Sequence, residues 1–385
     1  MLRRLYTQDQ SDRIYAGALR VLGEMGIRVE NRQCLEAMER FGACVDYPRQ
    51  RATISPEVIN RVVEMVRLDE ITGERNQRVI RSGYSAGGDG SCPLYYNEDH
   101  GDRRRATEAD CIEALKICES SGVAGTTVPT LNRDVGHRYE AIRCLQLAIE
   151  TLDRTVIYAT DLFHPEQVPF AVELGRLYRD DPFWFLPGAN CITTPLTIGK
   201  TIADLAVAKA PYAGCDYTAP PMPVMGANAP MTSAGTAVIG VAEILGSYVL
   251  AKSLNPETQV RALALTSLMD MRGGHVVFCA PEALAADVAM CETMQYRVGL
   301  SCAAYGGYTD AKLPGMRATR EKLIRSLGLG LYSTIGSFSG ALDQGKVFSP
   351  TQMILDQELH GFLARYATKQ VVNEDALAID EIVSI

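Results

Sequence analysis

Apolar residues recur at helical spacing from the start of the chain. Ile14, Ala18, Leu22 and Met25 share one face before a break at Gly26, and Leu35, Met38 and Phe41 repeat the pattern before Gly42. Ser55-Pro56-Glu57 opens a third helix, with Ser55 at the cap and proline at the first helical position, where its missing N–H costs nothing. These segments predict a helical N-terminal cap over residues 1–78. The period then changes. Residues 79–84 and 94–97 flank a glycine-rich turn, Ala86-Gly87-Gly88-Asp89-Gly90, which predicts a β-hairpin insertion. Thr107-Glu108-Ala109-Asp110 carries the capping residue and early acids of a new helix.

From there strands and helices alternate. Strand-like runs fall at 123–128, 155–160, 184–187, 217–224, 260–265, 300–304 and 329–333, separated by helical patterns at 137–151, 165–179, 198–210, 234–253, 281–298 and 316–327. Repeated strand–helix units require parallel strands joined by right-handed crossovers. The expected fold is therefore α/β, a (β/α)8 TIM-type barrel over residues 79–385, with the cap packed on it as one unit. No Gly-x-Gly-x-x-Gly follows a strand and no P-loop occurs, which argues against an open nucleotide-binding sheet. The nearly apolar run 231–251 is interrupted by Glu243 and reads as a buried helix rather than a membrane span.

Composition narrows the function. A net charge of −8 offers no phosphate-neutralising surface, so nucleic acid is not an expected partner. Met1-Leu2-Arg3-Arg4 runs straight into a charged amphipathic segment, without a leader pattern, and a cytoplasmic protein is expected. The 11 cysteines are scattered without Cys-x-x-Cys, as for reduced thiols in such a compartment. His275 and Cys279, four apart, read as a local pair rather than a zinc site, and no bound metal is expected.

In a barrel the chemistry lies just past the C-terminal ends of the strands. Those positions hold Asp161, Asn190, Asn228, Asp270 and the run Tyr305-Gly306-Gly307-Tyr308-Thr309-Asp310. No serine elbow, cysteine–histidine pair or metal cluster appears among them. Carboxylates, amides, methionines and tyrosine faces suit a cation shielded from water better than hydrolysis or hydride transfer. Met225, Met269 and Met271 read as core filler, Glu243 and Glu292 as structural acids within helices, and the Arg103–Arg105 run as solvated or salt-bridged.

Six ordered blocks then point to a family. "VLGEMGIRVENRQCLEAMERFGACVD", "GDRRRATEAD", "MPVMGANAPMTSAGTAVIGVAEILGSYVLAKSLNPETQV", "MDMRGGHVVFCAPEALAAD", "AAYGGYTDAKLPG" and "FSPTQMILDQELHGFLAR" resemble the trimethylamine:corrinoid methyltransferase (MttB) superfamily over nearly the whole chain. The resemblance implies a (β/α)8 barrel that demethylates an amine onto the Co(I) of a small corrinoid-binding protein, in methylamine metabolism and methanogenesis. Pyrrolysine-containing members carry that residue in the segment resembling 305–312, and the best match places Tyr308 there. Tyrosine offers no electrophilic imine to activate an uncharged amine. A quaternary ammonium needs none, because its N–C bond breaks to release a neutral tertiary amine. The chain therefore resembles the non-pyrrolysine branch, and a quaternary amine such as a glycine betaine-like compound is the expected substrate.

On this reading the transfer is an in-line displacement. Asp310, Tyr308 and Asp270 are the expected catalytic residues, with Asp310 foremost because tyrosines flank its glycine-rich approach. Asp161 can also face the cation, and Tyr96 and Tyr305 wall it. Asn97, Asn190 and Asn228 can bond a carboxylate tail. Tyr95 and Tyr96 alternate on one strand, so a single ring faces the pocket, and Tyr96 is the expected one. A homo-oligomer is also expected. Relatives run on past the segment resembling "EDALAIDEIV", where this chain reaches Ile385, and a tail there is expected to seat the partner or close the pocket. Two rival readings remain: a barrel demethylase or lyase using another cofactor, and a non-catalytic quaternary-amine-binding protein.

Overall fold

The computed structural model describes residues 4–72, 92–123, 125–158, 161–188, 191–212, 216–300, 302–332, 334–336, 340–367 and 371–384. They form a mixed α/β fold. The first helix, Gln8–Glu24, begins in a reciprocal capping box between Thr7 and Gln10 and buries Ile14, Ala18 and Leu22, as its period requires. Arg32–Arg40 and Pro56–Thr72 complete the helices of the N-terminal layer. That layer is not all helix. Ile27–Val29 pairs antiparallel with Arg51–Thr53 and parallel with Thr197–Ile198, and Cys44–Asp46 extends the sheet. Strands of three residues are too short to carry a period of two, so the pattern gave no sign of them.

The helix Ser233–Leu254 runs through the largest core cluster, between the N-terminal helices and the strands. It is long and apolar enough to cross a membrane, yet 78% of its apolar window is buried within the chain. Close approach explains two of its glycines. A β-carbon on Gly240 would stand 2.1 Å from the Met290 sulfur, and one on Gly246 would stand 2.9 Å from Ile27 Cδ1.

Four strands lie side by side in chain order and parallel: Asp216–Ala219, Gln259–Ala264, Cys302–Tyr305 and Thr334–Gly336. Their register pairs Ala219 with Ala262, Ala262 with Cys302, and Tyr305 with Gly336. Gly125–Thr126 and Val156–Ile157 form a second parallel pair. The helices His137–Thr151, Val168–Arg179, Lys200–Lys209, Pro281–Thr293 and Met316–Gly330 fall between strands as the pattern predicts.

Two predicted strands differ. Residues 329–330 still belong to a helix, whose buried Leu329 keeps the helical period, and the strand begins at Thr334. Residues 182–185 form a turn and 186–187 are irregular, with the N–H of Trp184 donating to Asp181 O and that of Leu186 to Phe183 O. Among the described residues the strands form separate sheets rather than one closed ring.

The hairpin also differs. Leu94–Asn97 is a strand, but it pairs antiparallel with Asp102–Arg105 and parallel with Val347–Phe348. The predicted first arm, 79–84, and the turn 86–90 lie outside the described residues. Two of the three arginines of Asp102–Arg105 are salt-bridged, and Arg105 is exposed. Arg103 reaches Asp343 at 2.7 Å, and Arg104 binds both oxygens of Asp110 while lying 5.0 Å from the centre of the Tyr95 ring.

Candidate functional site

Tyr305 is the last residue of its strand, and the chain beyond it turns back over the C-terminal ends of the parallel strands. There Leu265, Phe278 and Tyr305 form a small buried cluster, with Met222, Leu263, Val276 and Tyr308 packed around it. The ring of Tyr308 meets Tyr305 edge-on at 5.7 Å and 69°, and Phe278 at 5.1 Å and 36°. Gly345, at φ +80°, lets the backbone come against the third side, since a β-carbon there would stand 3.3 Å from the Tyr308 ring. Three aromatic rings thus converge at the strand ends.

Polar contacts tie the pieces of this cluster together. Asp310 accepts the backbone N–H of Phe278 at 2.9 Å and that of Cys279 at 3.1 Å. Glu321 accepts the Thr309 hydroxyl at 2.6 Å, the Asp310 N–H at 2.8 Å and Arg317 Nε at 2.9 Å. Burial works to raise the Glu321 pKa, but those donors together hold it below the usual carboxylate value. Behind them Arg325, with no solvent exposure, donates to Tyr305 O at 3.0 Å, to Phe278 O and to Asp287 at 2.9 Å. Asp287 in turn accepts the Thr266 N–H at 2.7 Å. One guanidinium thus fixes the carbonyls of two residues whose rings meet Tyr308.

Beside the aromatic group lies a cleft of ≈ 1010 Å³, bordered by Asp310, Arg317, Glu321, Gln344 and Lys346. Neither Tyr305 nor Tyr308 lines it. The segment 343–346 separates the two: Gln344 N donates to Thr309 O at 2.9 Å, and its side-chain amide to Val276 O at 2.7 Å. Cys279, Asp310 and Glu321 bring their ligand-type atoms within 4.8 Å of one another. Both carboxylates already accept N–H donors, Arg317 crowds Glu321, and burial holds the Cys279 thiol up at about 12, so this trio is better satisfied as a hydrogen-bonded joint than as a metal cage.

The structure brings together Tyr305, Tyr308 and Asp310 and, among the described residues, places the other predicted ones elsewhere. Asp270 closes the turn of an antiparallel pair, accepting the N–H of Arg272 at 2.8 Å, with His275 at 3.6 Å. Those contacts hold its pKa below the usual value. His275 therefore turns to Asp270, while Cys279 Sγ points at Tyr308 O, 3.7 Å away. Tyr96 is buried with Ala311, Ala318 and Leu342, and Tyr95 donates to Glu113 at 2.6 Å, so both rings of that strand are core. Asn97 accepts the Asp99 N–H in a turn. Asn228 bridges the Val224 N–H at 2.7 Å and Thr194 O at 3.3 Å. Asp161 is half-buried and acts electrostatically on the Cys191 thiol. Asn190 lies outside the described residues.

Met225 is core, as expected, and Met271 is 71% exposed, contrary to its reading as filler. Glu243 takes the Thr194 hydroxyl at 2.9 Å and the Leu196 N–H at 2.8 Å, and Glu292 takes the N–H groups of Leu5 and Tyr6, each at 2.8 Å, both in structural roles. Phe278, Glu321 and Arg325 did not stand out in the sequence. Phe278 immediately follows a strand, a position open to the same reasoning that selected Asp270.

A family model described as trimethylamine methyltransferase (MTTB) matches residues 3–385. A glycine betaine methyltransferase of Desulfitobacterium hafniense (strain Y51) is 24% identical over 400 residues, covering 98% of this chain and 80% of that protein. The trimethylamine methyltransferase MttB of Methanosarcina barkeri (strain Fusaro) is 24% identical over 401 residues, with 98% and 79% covered. That of Methanosarcina thermophila is 22% identical over 400 residues.

Proposed function

Because the chain belongs to the trimethylamine methyltransferase (MTTB) family and is a methyltransferase, we propose that it moves a methyl group from a glycine betaine-like quaternary amine to the Co(I) of a small corrinoid protein. The observation that carries the substrate side is the group Tyr305, Tyr308 and Phe278 at the ends of parallel strands. Ring faces attract a quaternary ammonium through the negative face of the quadrupole, and that attraction grows as water is excluded. Tyr308, where the resemblance puts pyrrolysine in other members, can hold such a cation but cannot activate an uncharged amine.

The step balances without a general acid. The N–CH3 bond breaks with its pair staying on nitrogen, a neutral tertiary amine leaves, and Co(I) supplies two electrons for the new Co–CH3 bond. The protein has to orient the C–N axis, keep water out and stabilise the cation until the methyl departs. Asp310 supplies negative charge beside the rings, its orientation set by Phe278 and Cys279. Asp161, Asp270, Tyr96, Asn97 and Asn228 have other contacts, so the aromatic group and Asp310 are the core of the proposed site.

We also read the parallel strands as an arc of a (β/α)8 barrel. Four neighbours in chain order and a second parallel pair, each with helices between, support that closure. A cytoplasmic location fits a reaction that consumes reduced cobalt. The test is direct. Purified protein, a Co(I)-loaded corrinoid protein and glycine betaine should yield dimethylglycine and methyl–cobalt absorbance. Demethylation of trimethylamine with no quaternary amine consumed would overturn the reading.

A further inference from the structure

The cleft beside the aromatic group carries an unusual distribution of charge. Its acids are engaged inward: Asp310 by two backbone N–H groups, Glu321 by Arg317, and Asp343 by Arg103 at 2.7 Å. Its cations face out. Lys312, Arg320 and Lys346 are exposed at its border, and Lys312 and Arg320 make no ion pair among the described residues. The rim is therefore locally positive on a chain of net charge −8.

Large apolar side chains stand among these cations. Leu313 is 58% exposed, Met316 89% and Ile324 49%. Met316, Arg320 and Ile324 recur four apart and so form one ridge of the helix Met316–Gly330. An exposed apolar group interspersed with arginine and lysine has the composition of an interaction surface rather than of solvated helix.

Its position matters as much as its chemistry. The segment 343–346 borders the cleft through Gln344 and Lys346, while Gly345 packs on the Tyr308 ring. Anything seated on the rim is thus one loop away from the aromatic group. We propose that this rim is where the corrinoid protein docks, through an acidic face of that partner, with Leu313, Met316 and Ile324 as the apolar centre of the contact. The proposal rests on the methyl-transfer reading, since that reading supplies the partner. Charge on a rim acts mainly on association rate and salt dependence, while apolar centres hold the complex once formed.

The experiment uses the full chain and a cob(I)alamin-loaded corrinoid protein, with binding followed by calorimetry and glycine betaine demethylation followed separately. A Lys312→Glu, Arg320→Glu, Lys346→Glu variant changes only exposed side chains. It should weaken binding by about tenfold or more and flatten its dependence on salt. Met316→Asp should weaken binding without altering the salt slope. Both variants should demethylate glycine betaine onto free cob(I)alamin at the wild-type rate. Unchanged binding by both variants, or no binding of the wild type to the corrinoid protein, would overturn the docking surface. Wild-type binding lost in the variants, but without turnover of any quaternary amine, would support the surface and overturn the reaction reading alone.

Discussion

The guanidinium of Arg325 and the carboxylate of Asp287 meet at 2.9 Å with neither side chain exposed to solvent. The pair lies directly behind the aromatic group, because the same guanidinium also donates to the carbonyls of Tyr305 and Phe278. A buried pair of this kind is costly to break, since one uncompensated charge is left in the interior.

Arg325→Leu should accordingly cost about 3–5 kcal/mol of stability. Pairing it with Asp287→Leu should recover a large part, since the orphaned charge is removed. Urea unfolding of the two single variants and the double variant measures the coupling. Equal, additive losses would show that the two side chains do not depend on each other.

Tyr308→Phe keeps the ring and should leave glycine betaine half-saturation within about twofold, whereas Tyr308→Leu should raise it about tenfold, consistent with a cation–π term of ~1–2 kcal/mol in a desolvated site. Calorimetric titration or KM distinguishes them. A larger loss for Phe than for Leu would assign the role to the hydroxyl instead.

Glu243 is fully buried and its pKa is pushed up to about 7 by burial, against the Leu196 N–H and Thr194 hydroxyl that act to lower it. Its folded value is thus above the unfolded one. Between the two, the unfolded chain releases this proton while the folded chain keeps it, so this residue's contribution makes the fold less stable as pH rises from about 4.5 to 7, by ~3 kcal/mol in all. Glu243→Gln should remove that dependence. Melting curves from pH 5 to pH 8 should show wild type falling relative to the variant, and parallel curves would refute it.

Glu321 gathers the N–H groups of Asp310 and Ala311 and the hydroxyl of Thr309 on a single carboxylate oxygen. Glu321→Ala should leave the Asp310 N–H and the Thr309 hydroxyl without this acceptor, at ~1–3 kcal/mol, and open the loop, the Ala311 N–H keeping only Thr309 Oγ1 at 3.0 Å. Hydrogen exchange at Asp310 and Ala311 should accelerate at least about tenfold while the core strands keep their protection.

The sequence revealed the alternation of strands and helices well wherever an element was long enough to show its period. Gln8–Glu24, His137–Thr151 and Ser233–Leu254 all fall where periodicity put them. The three-residue strands of the N-terminal layer were invisible for want of length. The candidate site was half legible. Tyr305, Tyr308 and Asp310 lie within six residues, so one loop could be read as one site. What organises them could not be read, because the inward face of the helix Met316–Gly330 is polar. It buries Glu321, Lys322 and Arg325 at spacings that ordinarily mark a solvated face. Lys322 pairs with a buried Asp356 and Arg325 with Asp287, partners 34 and 38 residues away, a separation no local pattern encodes.

The helix Ser233–Leu254 is sheathed on one side by the first segment of the chain, with Gly246 pressed against Ile27 and Gly17 against Val238. Stripping that sheath would hand water a rod as greasy as a bilayer segment. A truncation that kept only the strand–helix repeats would therefore not be a smaller working enzyme. It would be a sticky one, prone to cluster or to settle on lipid.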